Sequence, residues 1–203
     1  MQVFIPFSPS NPKTRLSGLL TKEERVEFAL VMLDDVINVV ESAGGIPILL
    51  STELVARDIE IIVDERQLSV AVNSIIENSE LPIAIVMGDL AIATSENVKK
   101  LIDASGEIVM VPGRCGGTNA FVTYRSDFRV DYHGTSYLDH ICIAEGIGAE
   151  IKEMDSFRLS TDIDTEEDLI EILIHGNGKS KEWLIDAGFY LDIKNEAVKI
   201  LRR

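Results

Sequence analysis

Apolar positions along the chain follow two alternating rhythms. Short, largely apolar runs at Met1–Pro6, Ile46–Leu50, Ile59–Val63, Ile83–Met87, Glu107–Val111 and Glu150–Met154 have the length of buried strands. Between several of them, apolar residues recur every three or four positions, as on one face of a helix. The longest such stretch carries Val26, Leu30, Leu33, Val36, Ile37 and Val40. Thr21 and Glu24 stand ahead of it as a capping box, and Gly44-Gly45 ends it. The same rhythm predicts helices over Leu68–Ile76, over Thr94–Ala104 with Thr94 as cap, and over Ser136–Glu145, stopped by Gly146. Two more are predicted, one from Thr165 to about Ile174 and one over Lys181–Ala187. Ala120–Tyr124 and Phe128–Tyr132 alternate like antiparallel strands, and Phe189–Leu201 reads as a hairpin around Lys194-Asn195.

Strand–helix alternation of this kind predicts an α/β fold with a mainly parallel sheet covered on both faces. Ligands of such sheets lie at the carboxyl ends of the strands. No repeat, low-complexity tract or linker interrupts the pattern, so residues 1–203 are expected to form a single domain.

Composition narrows the function. The chain is 46% hydrophobic and 26% charged, which suits a folded globular protein. With 19 Lys plus Arg against 34 Asp plus Glu, its formal charge is −15. A surface that acidic argues against nucleic acid and against anionic membranes, both of which need a basic footprint. The N-terminal MQVFIPFSPS lacks a basic segment and a long apolar run, and no stretch approaches the roughly 18 apolar residues of a membrane span. With only Cys115 and Cys142, a cytoplasmic protein with reduced thiols is expected. A small phosphorylated ligand remains compatible, because it needs only a few local cations such as Lys13, Arg15 and Arg114.

Five segments could carry chemistry. Asp89 follows the buried strand Ile83–Met87, so it is delivered to the carboxyl edge, where a carboxylate suits Mg²⁺; an Asp there serves equally as a turn or cap. Asp162-Ile163-Asp164 places two carboxylates on one side of an extended segment, an arrangement that repels unless a cation intervenes. Thr165 and Asp168 just beyond it read as a structural capping box. In Pro112-Gly113-Arg114-Cys115-Gly116-Gly117-Thr118-Asn119 the adjacent glycines allow close backbone approach and successive N–H groups can make an anion nest, while a plain tight turn into Ala120–Tyr124 is the alternative. Thr135-Ser136 opens a helix, a natural phosphate site that Ser136 could also simply cap. Lys13 and Arg15 could clamp a triphosphate or be ordinary loop charge. His133, His140 and Cys142 fit no closed zinc spacing.

Taken in order, Ile5-Pro6, Lys13-Thr14-Arg15-Leu16-Ser17, Glu23-Glu24-Arg25, Gly88-Asp89-Leu90, Gly116-Gly117-Thr118-Asn119-Ala120, Ser136-Tyr137-Leu138-Asp139-His140 and Asp162-Ile163-Asp164-Thr165-Glu166-Glu167-Asp168-Leu169 resemble the 2-phospho-L-lactate guanylyltransferases of coenzyme F-420 biosynthesis. The resemblance runs from Ile5 to about Leu173. It implies a Rossmann-like, three-layer mixed sheet of the nucleotide-diphospho-sugar transferase (GT-A-like) kind, in a cytoplasmic homodimer. It also implies transfer of GMP from GTP to 2-phospho-L-lactate, or to phosphoenolpyruvate in some relatives, with release of pyrophosphate.

On that resemblance Asp89, Asp162 and Asp164 would be the Mg²⁺ ligands, and Lys13 and Arg15 the catalytic cations facing the GTP phosphates. Gly116, Gly117, Thr118, Asn119, Thr135 and Ser136 would bind the three-carbon acid. Two positions depart from the family: Ser8 replaces a frequent Lys, and Ala91 stands where a Pro often follows Asp-Leu. Other nucleotidyltransferases, glycosyltransferases and a non-catalytic GTP-binding module are the rival readings.

Overall fold

A computed structural model describes residues 1–194 and 197–203. Seven strands form the main sheet, in the order β3-β2-β1-β4-β6-β5-β7. They are β1 (Gln2–Phe7), β2 (Ile46–Ser51), β3 (Glu60–Val63), β4 (Ile83–Val86), β5 (Ile108–Pro112), β6 (Thr118–Thr123) and β7 (Ile151–Glu153). All pairings are parallel except those of β6, which runs antiparallel to both β4 and β5. The loop between β5 and β6 is the reason. It spans only 113–117, and a parallel return needs a crossover of about a dozen residues or more.

The central strands are apolar on both sides because both faces are covered. Val3 and Ile5 of β1 and Ala84 and Val86 of β4 pack with Leu33, Val36 and Val40 of α1 (Lys22–Ser42) and Val98 and Leu101 of α3 (Ser95–Ile102). On the other face Phe4, Ile83 and Ile85 pack with Val72, Ile75 and Ile76 of α2 (Leu68–Asn78) and Ala144 of α4 (Ser136–Gly146). The capping box predicted at Thr21 is made: the Thr21 hydroxyl accepts from Glu24 N–H and Glu24 accepts from Thr21 N–H. Gly44 follows with φ 83°, the left-handed turn that ends α1.

A third apolar cluster lies outside α1. It joins Phe28 and Met32 to Ile163, to Leu169 and Ile172 of α5 (Glu166–His175), to Leu184 of α6 (Lys179–Asp186) and to Phe189 and Ile200. The last two belong to the predicted C-terminal hairpin, β8 (Phe189–Lys194) with β9 (Ala197–Arg202), an antiparallel pair separate from the main sheet. Its turn at 195–196 lies outside the described residues.

One predicted strand is absent. Phe128–Tyr132 is extended but joins no ladder. Side chains take its backbone groups instead: Asn73 bonds both Val130 N–H and C=O, Ser69 accepts from Tyr132 N–H, and His140 accepts from Asp131 N–H. Phe128 and Val130 are buried by packing, not by pairing.

Chain direction on the sheet sets the position of the crevice. From β1 the chain goes outward to β2 and β3, then returns to the other side of β1 as β4. The strand order therefore reverses between β1 and β4, where ligands of open α/β sheets sit. Phe7, Ser51, Gly88, Pro112 and, through the antiparallel β6, Thr118 all reach this edge.

Candidate active site

Beyond the ends of β1 and β4 a cleft of about 210 Å³ is lined by Pro6, Phe7, Pro12, Lys13, Gly88, Asp89 and Asp164. Lys13 has a left-handed backbone, φ 52°, uncommon for a residue with a side chain. That conformation sends its ammonium between two carboxylates: Nζ donates to Asp89 Oδ2 at 2.6 Å and to Asp164 Oδ1 at 2.9 Å. Only 9% of the Lys13 side chain is exposed. Burial works against its charge, but Asp89 and Asp164 outweigh burial and hold its pKa above the ordinary lysine value. Arg15, mostly exposed, reaches Asp164 Oδ2 at 3.3 Å.

The Asp162–Asp164 segment is fixed by its middle residue and by its neighbours. Ile163 is fully buried in the third cluster, which leaves the flanking carboxylates together on the open side. Ile163 N–H donates to Asp89 C=O at 3.3 Å, tying the two acidic segments to each other. Asp162 accepts from the Asn119 amide at 3.3 Å. Burial first, then repulsion by Asp89 and Asp164, pushes the Asp162 carboxyl above the ordinary range, so this corner is short of positive charge. The three carboxylates are thus neighbours. They do not converge on one point as around an ion: among the described residues no three acidic, His or Cys side chains do so. Lys13 stands between two of them. Their chemistry suits a hard divalent cation, since oxygen ligands are what Mg²⁺ takes.

Asp168 does more than the capping expected of it. It closes the box with Thr165, and the same Oδ2 accepts from Asp164 N–H at 2.9 Å and Thr165 N–H at 2.7 Å. Its Oδ1 pairs with Arg114. Asp168 is 1% exposed, so it is a buried anchor holding the acidic segment against the β5–β6 loop. Asn119 strengthens the same junction by donating to Leu159 C=O at 3.1 Å, and a side chain at Gly113 would run into the Asn119 amide.

Backbone hydrogen bonds brace part of the glycine loop. Gly113 N–H donates to Gly117 C=O, Gly117 N–H to Arg114 C=O and Arg114 N–H to Ser160 C=O. Three amides are therefore spent on holding the loop. Gly116, with φ 85°, lies against Thr135, so the loop meets the start of α4. Thr118 and Ser136, which flank this contact in sequence, are buried, 3% and 4% exposed. Thr135 is the residue before α4, and neither Thr135 nor Ser136 caps it through its side chain. Thr118 Oγ1 lies 2.9 Å from His140 Nδ1. His140 is fully buried with both ring nitrogens engaged, and burial lowers its pKa to about 4.

A second cavity, about 190 Å³, shares Pro6, Phe7, Ser8 and Met87 with the first. Its walls are otherwise Leu50, Leu68 and Ala71, with Ser51, Thr52, Asp64 and Arg66 at its polar side. Ser8 bonds Thr52 across it at 3.1 Å. Arg66 holds Asp64 bidentately, depressing its carboxyl pKa. None of these residues carries a sequence motif, and only the fold gathers them. No helix among the described residues is long and apolar enough to cross a membrane.

Residues 1–202 match the family described as "Guanylyl transferase CofC like". The 2-phospho-L-lactate guanylyltransferase of Halomicrobium mukohataei is 45% identical over 202 residues, covering 100% of both chains. Among solved structures, a Desulfovibrio desulfuricans protein provisionally assigned as a nucleotide-diphospho-sugar transferase superposes with TM-score 0.75 at 11% identity, covering 92% of this chain and 95% of its own. CMP:2-keto-3-deoxy-manno-octonic acid synthetase complexed with CTP superposes with TM-score 0.56 at 11% identity, covering 84% and 95%. The two structures speak for the fold, and the sequence match speaks for the family. This chain is a nucleotidyltransferase enzyme belonging to the CofC-like guanylyl transferase family.

Proposed function

We propose that the enzyme joins GMP from GTP to 2-phospho-L-lactate, giving lactyl-2-diphospho-5′-guanosine and pyrophosphate in coenzyme F-420 biosynthesis in the cytoplasm. The observation that carries this reading is the acidic cluster of Lys13, Asp89, Asp162 and Asp164 at the carboxyl edge of the sheet, together with the buried hydroxyl residues Thr118 and Ser136 where the β5–β6 loop meets α4. The first suits a triphosphate with its cation, the second a small anionic acid.

In the reaction a phosphate oxygen of the acid attacks the α-phosphorus of GTP. A new P–O–P bond forms, the bond from Pα to the bridging oxygen breaks, and pyrophosphate leaves. The attacking phosphate is already ionised at neutral pH, so no protein base is required, and the difficulty is bringing two polyanions together. Asp89, Asp162 and Asp164 would hold Mg²⁺, which when bound supplies the positive charge that screens this repulsion. Lys13, kept protonated by its carboxylate neighbours, and the exposed Arg15 face the triphosphate. Gly116, Gly117, Thr118, Asn119, Thr135 and Ser136 shape the acid subsite, Asn119 indirectly through Asp162.

The second cavity suits the base. Its apolar walls match a purine ring, and Asp64, on release from Arg66, would offer carboxylate oxygens to the N1–H and 2-amino group of guanine, donors that adenine does not present together. Ser51 and Thr52 lie beside it. The exposed Ile193, Val198 and Leu201 of the hairpin fit a homodimer contact. A pyrophosphate-release assay pairing GTP, ATP and CTP with 2-phospho-L-lactate and with phosphoenolpyruvate tests the reading. Release with GTP and 2-phospho-L-lactate is expected. Preference for phosphoenolpyruvate would move the acid assignment, and no release with GTP would end the proposal.

A further inference from the structure

We infer that His140 is a positioning residue that turns the Thr118 hydroxyl into a hydrogen-bond donor for an anionic oxygen of the three-carbon acid, an inference that rests on the function proposed above. The argument starts from a backbone amide. Asp131 N–H donates to His140 Nε2 at 3.0 Å, and an amide can only donate. Nε2 must therefore present a lone pair, so the ring is neutral with its proton on Nδ1.

Nδ1 lies 2.9 Å from Thr118 Oγ1, which then accepts from the ring. The Thr118 hydroxyl proton is left over, and no acceptor for it is found among the described residues. With the opposite tautomer Thr118 would donate to the ring and have nothing to offer a ligand. The Asp131 amide forbids that arrangement.

The surroundings hold this choice in place. His140 is fully buried, with Phe128 and Tyr132 packed edge-on at 6.0 and 5.3 Å between ring centres. Burial keeps it uncharged despite the nearby carboxylates of Asp139 and Asp131. His140 also stands one helical turn after Ser136, so the two share a face of α4. Ser136 has a hydroxyl without a protein partner among the described residues and is 4% exposed. An anion at this corner would meet two hydroxyl donors at the α4 N-terminus, with their directions set in advance.

The tautomer is read directly by ¹⁵N NMR of the histidine side chains in the full-length protein. The inference expects a protonated Nδ1 and an unprotonated Nε2 for His140, and the reverse overturns it whatever reaction the enzyme performs. Function is read from kinetics with GTP and 2-phospho-L-lactate. His140→Phe keeps the ring volume and removes both nitrogens, and should raise the KM for the acid about 10-fold, the usual cost of a lost hydrogen bond to a charged group, while leaving the KM for GTP unchanged.

His140→Asn, whose amide N–H can stand near the Nδ1 position, should recover most of that loss. In a Thr118→Val background, neither His140 variant should raise the acid KM further. Equal loss in the Asn and Phe variants, additive loss in the double variants, or a matching rise in the GTP KM would overturn the inference. Should His140→Phe fail to fold, the Thr118→Val and His140→Asn pair and the NMR measurement still decide. Wild-type turnover tests the function separately.

Discussion

The acidic cluster at Lys13 and the buried hydroxyls beside His140 carry polarity in opposite ways. At the acidic end, Lys13 sits between Asp89 and Asp164 while Asp162, short of a cation, is pushed toward its protonated form. Everything there depends on charge. Around Thr118, Ser136 and His140 the side chains are neutral and buried, and the Thr118–His140 hydrogen bond has its direction fixed by the Asp131 backbone amide. The difference teaches a division of labour. On the proposed reading, a highly charged nucleotide with a metal needs counter-charge that can rearrange, whereas a small acid needs discrimination, which directional donors provide.

Charge removal at the acidic end should have the largest effect. Asp89→Asn or Asp164→Asn, or chelation of Mg²⁺ in the wild type, should lower kcat/KM by at least about 100-fold with circular dichroism unchanged. Near-normal turnover in either variant would erase the proposed contrast. Next comes the anchor between the ends. Asp168→Ala leaves Arg114 and the Asp164 and Thr165 amides without their shared acceptor, and should cost about 3 kcal/mol in urea denaturation, as expected for breaking a buried, hydrogen-bonded pair.

The neutral end makes a pH prediction. His140 has a folded pKa of about 4 against 6.5 for the free side chain. Between these values the unfolded chain holds a proton that the folded chain refuses, so stability falls as pH drops from 6.5 toward 4 and levels off below. The contribution is up to about 3 kcal/mol and should be missing from the pH profile of His140→Asn, as followed by thermal unfolding. The smallest effect concerns the base: Asp64→Asn should raise the KM for GTP about 10-fold while changing the KM for ITP, which lacks the 2-amino group, less.

How far the sequence reveals this molecule depends on how local each feature is. The parallel strands and the Thr21 cap are legible because apolar runs and capping boxes are written in neighbouring residues. The same holds for the Ile163 alternation that keeps Asp162 and Asp164 together. Phe128–Tyr132 misleads because alternation reports only which side chains are buried. Whether backbone groups find a ladder or side-chain partners depends largely on residues far away in the chain, Asn73 and Ser69. Asp168 looks like a cap because its partner Arg114 is 54 positions distant. Asp64 carries no motif, and His140, though it lies in the quoted segment Ser136–His140, is given no role by it; their meaning appears only when the fold brings the second cavity and Thr118 to them. The C-terminal hairpin, by contrast, is legible as a pair of apolar runs, although nothing local says that Phe189 and Ile200 complete the cluster around Phe28.

The most direct test of the central claim is to incubate the purified enzyme with GTP, 2-phospho-L-lactate and Mg²⁺ and measure pyrophosphate and the nucleotide product by mass spectrometry. One pyrophosphate for each lactyl-diphospho-guanosine is the predicted result. GTP consumed without the conjugate, or no pyrophosphate at all, would contradict it.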